Sequence, residues 1–108
     1  MPTEHSVQTA IIKYLNALGG CHVIKVNQDH RQKGNPDLFA VRKELYFKYV
    51  EDGRFEPVNI GQAYLIEVKK EGGMPTKLQL ATMDQWRSAG AVAEVARSVK
   101  DVKRILRG

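Results

Sequence analysis

The sequence predicts one α/β domain in which a mixed β-sheet is flanked by helices, with the element order α-β-β-β-α-β-α. Stretches with apolar residues at helical spacing alternate with short apolar runs typical of strands, which is the pattern of such a fold. The length of 108 residues is enough for one core but too small for separate catalytic and substrate domains. Residues 1–108 are therefore expected to form a single domain with its functional site on the core itself.

The first helix is predicted to begin after Thr3, which can cap it, and to end at Gly19-Gly20. Its apolar residues have the spacing of one buried helix face: Val7, Ala10, Ile11, Tyr14, Leu15 and Leu18. Glu4 lies at the end of this face, where its carboxylate could reach an acid cluster or could simply complement the helix dipole. Taken alone, this residue favours the dipole role.

Two strands follow, over residues 21–26 and 37–42, and the polar loop between them carries His30, Arg31 and Lys33. Gly34 and Pro36 favour a tight, extended approach of the chain, so that Asp37 lies at the entrance of the second strand. The basic loop side chains could hold a phosphate backbone, although an ordinary solvated loop has the same composition.

Residues 43–62 are predicted to form a β-hairpin extension, because apolar residues alternate on both sides of the turn signal Glu51-Asp52-Gly53. Four of the chain's eight aromatic residues fall in this segment: Tyr46, Phe47, Tyr49 and Phe55. They could cover the end of the sheet. They could also form a self-association surface.

The strand predicted over residues 63–70 contains an acid and a base on one face, Glu67 and Lys69, while Ile66 and Val68 point to the other. Ionised groups in a buried strand cost several kcal/mol each unless they are paired or bind a metal. If Asp37 lies on a neighbouring strand, two carboxylates converge, and a cation between them would relieve their repulsion. Oxygen ligands of this kind suit Mg²⁺ or Mn²⁺.

The remaining elements are a helix capped by Thr76 and ended by Gly90, a strand over residues 91–96, and a basic helix capped by Ser98. Gln79 completes a capping box with Thr76, yet it also points inward toward the central strand, and the two roles weigh equally. Lys77, in the first turn of the same helix, is a candidate phosphate contact.

The motifs Gly34-Asn35-Pro36-Asp37-Leu38 and Ile66-Glu67-Val68-Lys69, followed by Gln79, resemble the VRR-NUC (virus-type replication-repair nuclease) branch of the PD-(D/E)xK nuclease superfamily. The resemblance covers residues 4 to about 98. It implies a restriction-endonuclease-like α-β-β-β-α-β core, here with the β-hairpin extension and a C-terminal helix. It also implies that Glu4 and Gln79 belong to the site.

In this interpretation the chain is a Mg²⁺- or Mn²⁺-dependent endonuclease that hydrolyses phosphodiester bonds of DNA. Asp37, Glu67 and the Val68 carbonyl would hold the metal, and Lys69 would orient the attacking water. The net charge of +5 favours a polyanionic partner, and Arg31, Lys33 and Lys77 are the candidate DNA contacts.

The resemblance further implies a homodimeric, structure-selective enzyme that resembles a Holliday-junction resolvase, acting on branched DNA in a bacterial cell or phage-infected host. The alternatives are a sequence-reading restriction-type nuclease and a non-catalytic nucleic-acid-binding module on the same fold. The absence of a signal peptide or a membrane-spanning apolar run favours a cytoplasmic protein without a membrane partner, and a single cysteine fits a reducing compartment.

Overall fold

The computed structural model describes residues 2–26 and 33–107, and within them the predicted element order α-β-β-β-α-β-α is confirmed. The helices and strands are α1 (Glu4–Ala17), β1 (Cys21–Lys25), β2 (Leu38–Tyr49), β3 (Phe55–Val68), α2 (Lys77–Ser88), β4 (Val92–Ala96) and α3 (Val99–Arg107). This is a mixed α/β architecture of the restriction-endonuclease-like type.

The sheet has the order β1-β2-β3-β4, in which β4 runs parallel to β3 and the other pairs are antiparallel. Because side chains alternate along each strand, the sheet has two apolar faces. One face buries Ile66 and Val68 in a core with α1 and α3, and the other buries Leu65 in a smaller core with Met83 of α2. Glu67 is two residues beyond Leu65 and lies on the same face of the sheet, so its side chain points toward α2.

The hairpin extension is not a separate element, because β2 and β3 continue through it without a break. Their ladder pairs all twelve residues of β2, from Leu38 opposite Ile66 to Tyr49 opposite Phe55. Asp52 and Gly53 turn the chain with positive φ angles of 49° and 72°. The predicted strand ends near residues 42 and 63 were therefore wrong. Backbone pairing continues into the hairpin, although the side chains there are mostly exposed.

The helix caps form as the sequence predicts. Thr3 Oγ1, Thr76 Oγ1 and Ser98 Oγ each accept a backbone N–H three residues ahead. Helix α1 buries Val7, Ile11 and Leu15 completely or nearly so, whereas Ala10 is exposed, contrary to the predicted stripe.

Among the described residues, no helix combines the length and the apolar character that crossing a lipid bilayer requires.

Candidate active site

Asp37 is positioned by a loop end that packs tightly on α2. Gly34 has a φ of +93°, and a Cβ at this position would lie 2.7 Å from Cγ of Leu78, so only glycine fits there. The next residue, Asn35, accepts a hydrogen bond from the indole of Trp86 at 3.4 Å, and Pro36 is fully buried. The loop therefore enters β2 at a fixed position.

The backbone and the side chain of Asp37 both join neighbouring strands. Its carbonyl oxygen accepts a hydrogen bond from Val26 N at 2.8 Å, and its Oδ2 accepts one from Val68 N at 2.8 Å. The carboxylate thus caps the β3 backbone just beyond the last ladder pair of β2, which is Leu38 with Ile66. As a result Asp37 meets the Val68 peptide and lies beside Glu67.

Glu67 is the buried acid of the sheet, with 1% of its surface exposed. Its Oε1 accepts a hydrogen bond from Gln79 Nε2 at 3.1 Å and lies 3.7 Å from Lys69 Nζ. Its Oε2 is buried and, in the ionised state, accepts no hydrogen bond from the described residues. An unsatisfied buried carboxylate oxygen is costly, and one in a native fold calls for a specific explanation.

Lys69 lies just beyond β3, yet it keeps the side of the strand that Glu67 occupies. Its backbone N–H donates to Ala96 O at 3.1 Å, which continues the pairing with β4 by one residue. The side chain is only 14% exposed, so its ammonium group is held close to Glu67 in a largely dry environment. The predicted pairing of an acid and a base on one face is present in the described residues.

Gln79 makes both of the contacts that the sequence predicts, one to the helix cap and one toward the central strand. Its Oε1 accepts the Thr76 N–H at 2.8 Å and completes a capping box, while its Nε2 donates to Glu67. One side chain therefore links the start of α2 to the buried acid. The capping interaction fixes the amide, and the amide in turn fixes the orientation of Glu67.

Burial raises the pKa of Glu67 to about 8, and both the negative charge of Asp37 and a hydrogen bond between the two carboxyl groups contribute in the same direction. The positive charge of Lys69 lowers the pKa but does not cancel the effect, and the charge of Glu4 adds a smaller increase. Without a bound cation, Glu67 therefore carries a proton near neutral pH.

The donor atoms at this position fit a hard divalent cation. Within the described part of the chain no donor reaches Glu67 Oε2, the Asp37 carboxylate lies beside it, and oxygen ligands are the ones that Mg²⁺ and Mn²⁺ prefer. Within residues 2–26 and 33–107, no three acidic, histidine or cysteine side chains lie close enough together to hold a metal. A cation here would thus need a backbone oxygen or water besides the two carboxylates.

The other predicted site residues are exposed or lie outside the described part of the chain. Glu4 is the first residue of α1 and is exposed, and its charge acts on Glu67. Lys33 and Lys77 are exposed, and they lie close in sequence to Asp37 and Gln79, respectively. Arg31, like His30, falls outside the described residues.

Sequence reasoning missed Arg97, which holds the turn between Lys69 and Gln79. Its guanidinium donates twice to Gly73 O, from Nη2 at 2.8 Å and from Nε at 3.2 Å. A Cβ on Gly73 would lie 3.4 Å from the Lys69 Cβ, so this turn packs directly against the lysine stem. The signal was available, since Arg97 follows a strand parallel to β3 and so lies at the same edge of the sheet.

A solved structure described as a VRR_NUC domain matches this chain with a TM-score of 0.68 and 26% sequence identity, over 98% of this chain and 97% of that one. No protein-family model matches the sequence, and no curated protein matches it. Because the match covers nearly the whole chain, it includes β2 and β3, and it supports a nuclease-type fold. This match supports a VRR-NUC domain, so the resemblance first seen in two short motifs is confirmed.

Proposed function

We propose that this protein is a metal-dependent DNA endonuclease that hydrolyses phosphodiester bonds at the Asp37–Glu67–Lys69 site. One observation carries the proposal: Glu67 is buried beside a second carboxylate and a largely buried lysine, and no donor from the described residues reaches its Oε2. Such an arrangement is unfavourable for folding alone, because it brings two acids together in a dry environment. A cation between them would remove the penalty.

In this proposal Asp37, Glu67 and the Val68 carbonyl hold Mg²⁺ or Mn²⁺. The ion would acidify a water molecule and neutralise the charge that develops on the phosphate. Asp37 and the Val68 peptide are already joined by a hydrogen bond of 2.8 Å, so their separation is set before any ligand arrives. Gln79 keeps the Glu67 carboxylate oriented through Oε1, which directs Oε2 to the cation.

Lys69 would orient the attacking water and stabilise its deprotonated form. Its ammonium group lies 3.7 Å from Glu67 Oε1 and is mostly shielded from solvent, so its charge acts strongly over a short distance. It also balances part of the negative charge of the two acids before the phosphate enters. A neutral residue at this position would neither stabilise the deprotonated water nor balance the charge of the two acids.

DNA would approach across the rim that contains Lys33 and Lys77, with Arg31 contributing from the loop outside the described residues. The excess of 17 basic over 12 acidic residues supports a polyanionic substrate. Contacts of this kind go to phosphates, so they position the duplex without reading its sequence. This favours selection of a DNA structure over a restriction-type reading of bases.

We further propose that the protein acts as a homodimer on branched DNA, in the manner of a Holliday-junction resolvase. One chain contains a single Asp37–Glu67–Lys69 set, whereas symmetric cleavage of a four-way junction needs two. The outer hairpin offers an interface, since Leu45, Phe47, Tyr49 and Phe55 are each more than half exposed. They lie on one side of the β2–β3 ladder, as their cross-strand register requires. Tyr46, which the sequence grouped with the other aromatics, lies on the opposite side, where its hydroxyl donates to Glu44.

A cleavage panel tests the proposal: linear duplex, flap, splayed arm and four-way junction, each with Mg²⁺, with Mn²⁺ and with EDTA. We expect metal-dependent cleavage that is fastest on the four-way junction. Glu67→Gln is the matched control, because it preserves the shape of the side chain and removes the charge. Cleavage by this variant at the wild-type rate, or no cleavage of any substrate by the wild type, would contradict the proposal.

A further inference from the structure

A cationic cleft lies away from the acids, between the ends of α1 and α3. It has a volume of about 200 Å³ and is lined by Tyr14, Leu18, Arg42, Lys103, Leu106 and Arg107. Three of these residues carry a positive charge, and none of the described residues that line the cleft is an acid. Basic side chains at a helix C-terminus commonly complement its dipole, but that partial charge of about −0.5 is too small to balance three cations.

Each of the three cations is held in place by a separate contact. Arg42 Nη1 donates to Leu106 O at 3.1 Å, and Arg107 Nε donates to Lys103 O at 3.4 Å. The Lys103 ammonium group lies 5.4 Å from the centre of the Tyr14 ring. Side chains that are already ordered lose less entropy when they bind an anion, which favours a specific contact over a diffuse basic surface.

The nearest acid does not neutralise the cleft. Glu44 Oε2 lies 3.8 Å from Arg42 Nη1, but the same carboxylate accepts hydrogen bonds from Tyr64 and Tyr46. One carboxylate cannot balance the three cations of the cleft, so the cleft keeps an excess of positive charge. The matching ligand is an anion with several acceptor oxygens, such as a phosphodiester.

The cleft lies on the opposite side of the sheet from the acid pair. Arg42 is on β2, five residues from Asp37, which is about 17 Å along a strand. Its side chain points to the α1 and α3 face, whereas Glu67 points to α2. Helix α1 connects the two regions, with Glu4 at the acid end and Leu18 at the cleft. The sheet thus separates the two positions.

We propose that this cleft binds a backbone phosphate of a second DNA segment, distinct from the segment that is cut. The inference rests on the proposed nuclease function and deepens it, because a substrate that reaches both faces of the sheet must branch or bend. A four-way junction or other branched DNA supplies two such segments at one point. A straight linear duplex supplies only one.

Helix α3 provides a matched pair of double variants for the test. Lys103→Gln with Arg107→Gln removes two charges from the cleft and leaves the side-chain stems. Lys100→Gln with Arg104→Gln removes two charges from the same helix, and neither residue lines the cleft. Binding of the full chain to a four-way junction and to a linear duplex is measured without metal across a salt series, and thermal melting checks that both variants fold.

For the junction, we expect the cleft variant to lower the log–log salt slope by about 1.8, which corresponds to two lost phosphate contacts on B-form DNA. The slope for the linear duplex should stay at the wild-type value, and the Lys100/Arg104 variant should change neither slope by as much. Equal changes from both double variants would indicate a general charge effect and overturn the cleft. An equal fall of the slope on linear duplex would show that the cleft does not select a second DNA segment.

A destabilised cleft variant would be replaced by Arg42→Gln, for which the junction slope should fall by about 0.9, as for one lost phosphate contact, and the duplex slope should not change. Because binding is measured without metal, failure of this inference is separate from failure of the nuclease proposal. If the protein cuts DNA but the two double variants bind alike, the nuclease proposal stands and the proposed phosphate site is wrong. A protein that binds as expected but never cuts would support the second phosphate site and contradict the nuclease proposal.

Discussion

The amide of Gln79 donates to Oε1 of Glu67 at 3.1 Å, and this single contact joins the start of α2 to the buried acid of the central strand. The same amide accepts the Thr76 N–H through its oxygen. A local helix cap and a site twelve residues upstream are therefore built from one side chain. Disturbing the cap and disturbing the site are separable, because Thr76 takes part only in the cap.

The first prediction uses that separation. Thr76→Ala should lower the free energy of unfolding by about 1 kcal/mol, the usual cost of losing a helix cap, with turnover close to wild type. Gln79→Ala should lose a similar amount of stability and also reduce turnover by about tenfold, since Glu67 loses the donor that orients it. Thermal melts and single-turnover cleavage separate the two effects. Equal turnover in both variants would leave Gln79 with the capping role alone.

The second prediction concerns the central set of residues. Asp37→Asn, Glu67→Gln and Lys69→Ala should each abolish detectable cleavage, because each removes a group needed in the transition state. DNA affinity should stay within about twofold of wild type, since none of the three is a proposed phosphate contact. Filter binding without metal and cleavage with Mg²⁺ provide the two measurements. Near-normal turnover of any one variant would remove that residue from the mechanism.

The third prediction concerns pH. Glu67 has a pKa raised from 4.5 to about 8, so between these values the folded chain holds a proton that the unfolded chain has lost. Its contribution to stability is complete below pH 4.5 and is lost as the pH rises through 8. Chemical denaturation without metal at pH 5, 7 and 9 should thus give a falling free energy of unfolding relative to Glu67→Gln, which lacks this titration.

Added Mg²⁺ should reverse that trend, because the cation binds only the deprotonated carboxylate and its affinity rises with pH. Glu4→Gln should shift the Glu67 pKa slightly downward, since the charge of Glu4 is the smallest of the factors acting on that carboxyl. This variant should weaken activity less than the changes at the three central residues. A pH profile of stability that is identical in wild type and Glu67→Gln would refute the assigned titration.

The fourth prediction tests the proposed dimer. Phe47 and Tyr49 lie on one side of the outer hairpin, and Phe47→Glu with Tyr49→Glu adds two negative charges there. Sedimentation at micromolar concentration should show a dimeric wild type and a monomeric variant. Lys48→Glu is the matched control, with the same change in net charge on the opposite side of the strand. A monomeric wild type that cuts junctions symmetrically would contradict the proposed dimer.

The sequence by itself determined the features that depend on neighbours along the chain. The helix caps at Thr3, Thr76 and Ser98 formed as predicted, because a cap joins residues only three positions apart. The alternation of side chains likewise put Glu67 and Lys69 on one side of the strand. Asp37 at the entrance of β2 followed from the glycine and proline before it.

The tertiary structure decided what depends on burial and on partners distant in sequence. Composition does not reveal that Glu67 would be 1% exposed, with no donor from the described residues at its Oε2, because that depends on how β2, β3 and α2 pack. The sequence left two roles open for Gln79, and only packing brings its amide to Glu67 while the cap is kept. Arg42 and Lys103 are 61 residues apart and share a cleft only because α3 returns to the sheet beside α1. Desolvation and charge proximity act through space, so they exist only once the chain has folded.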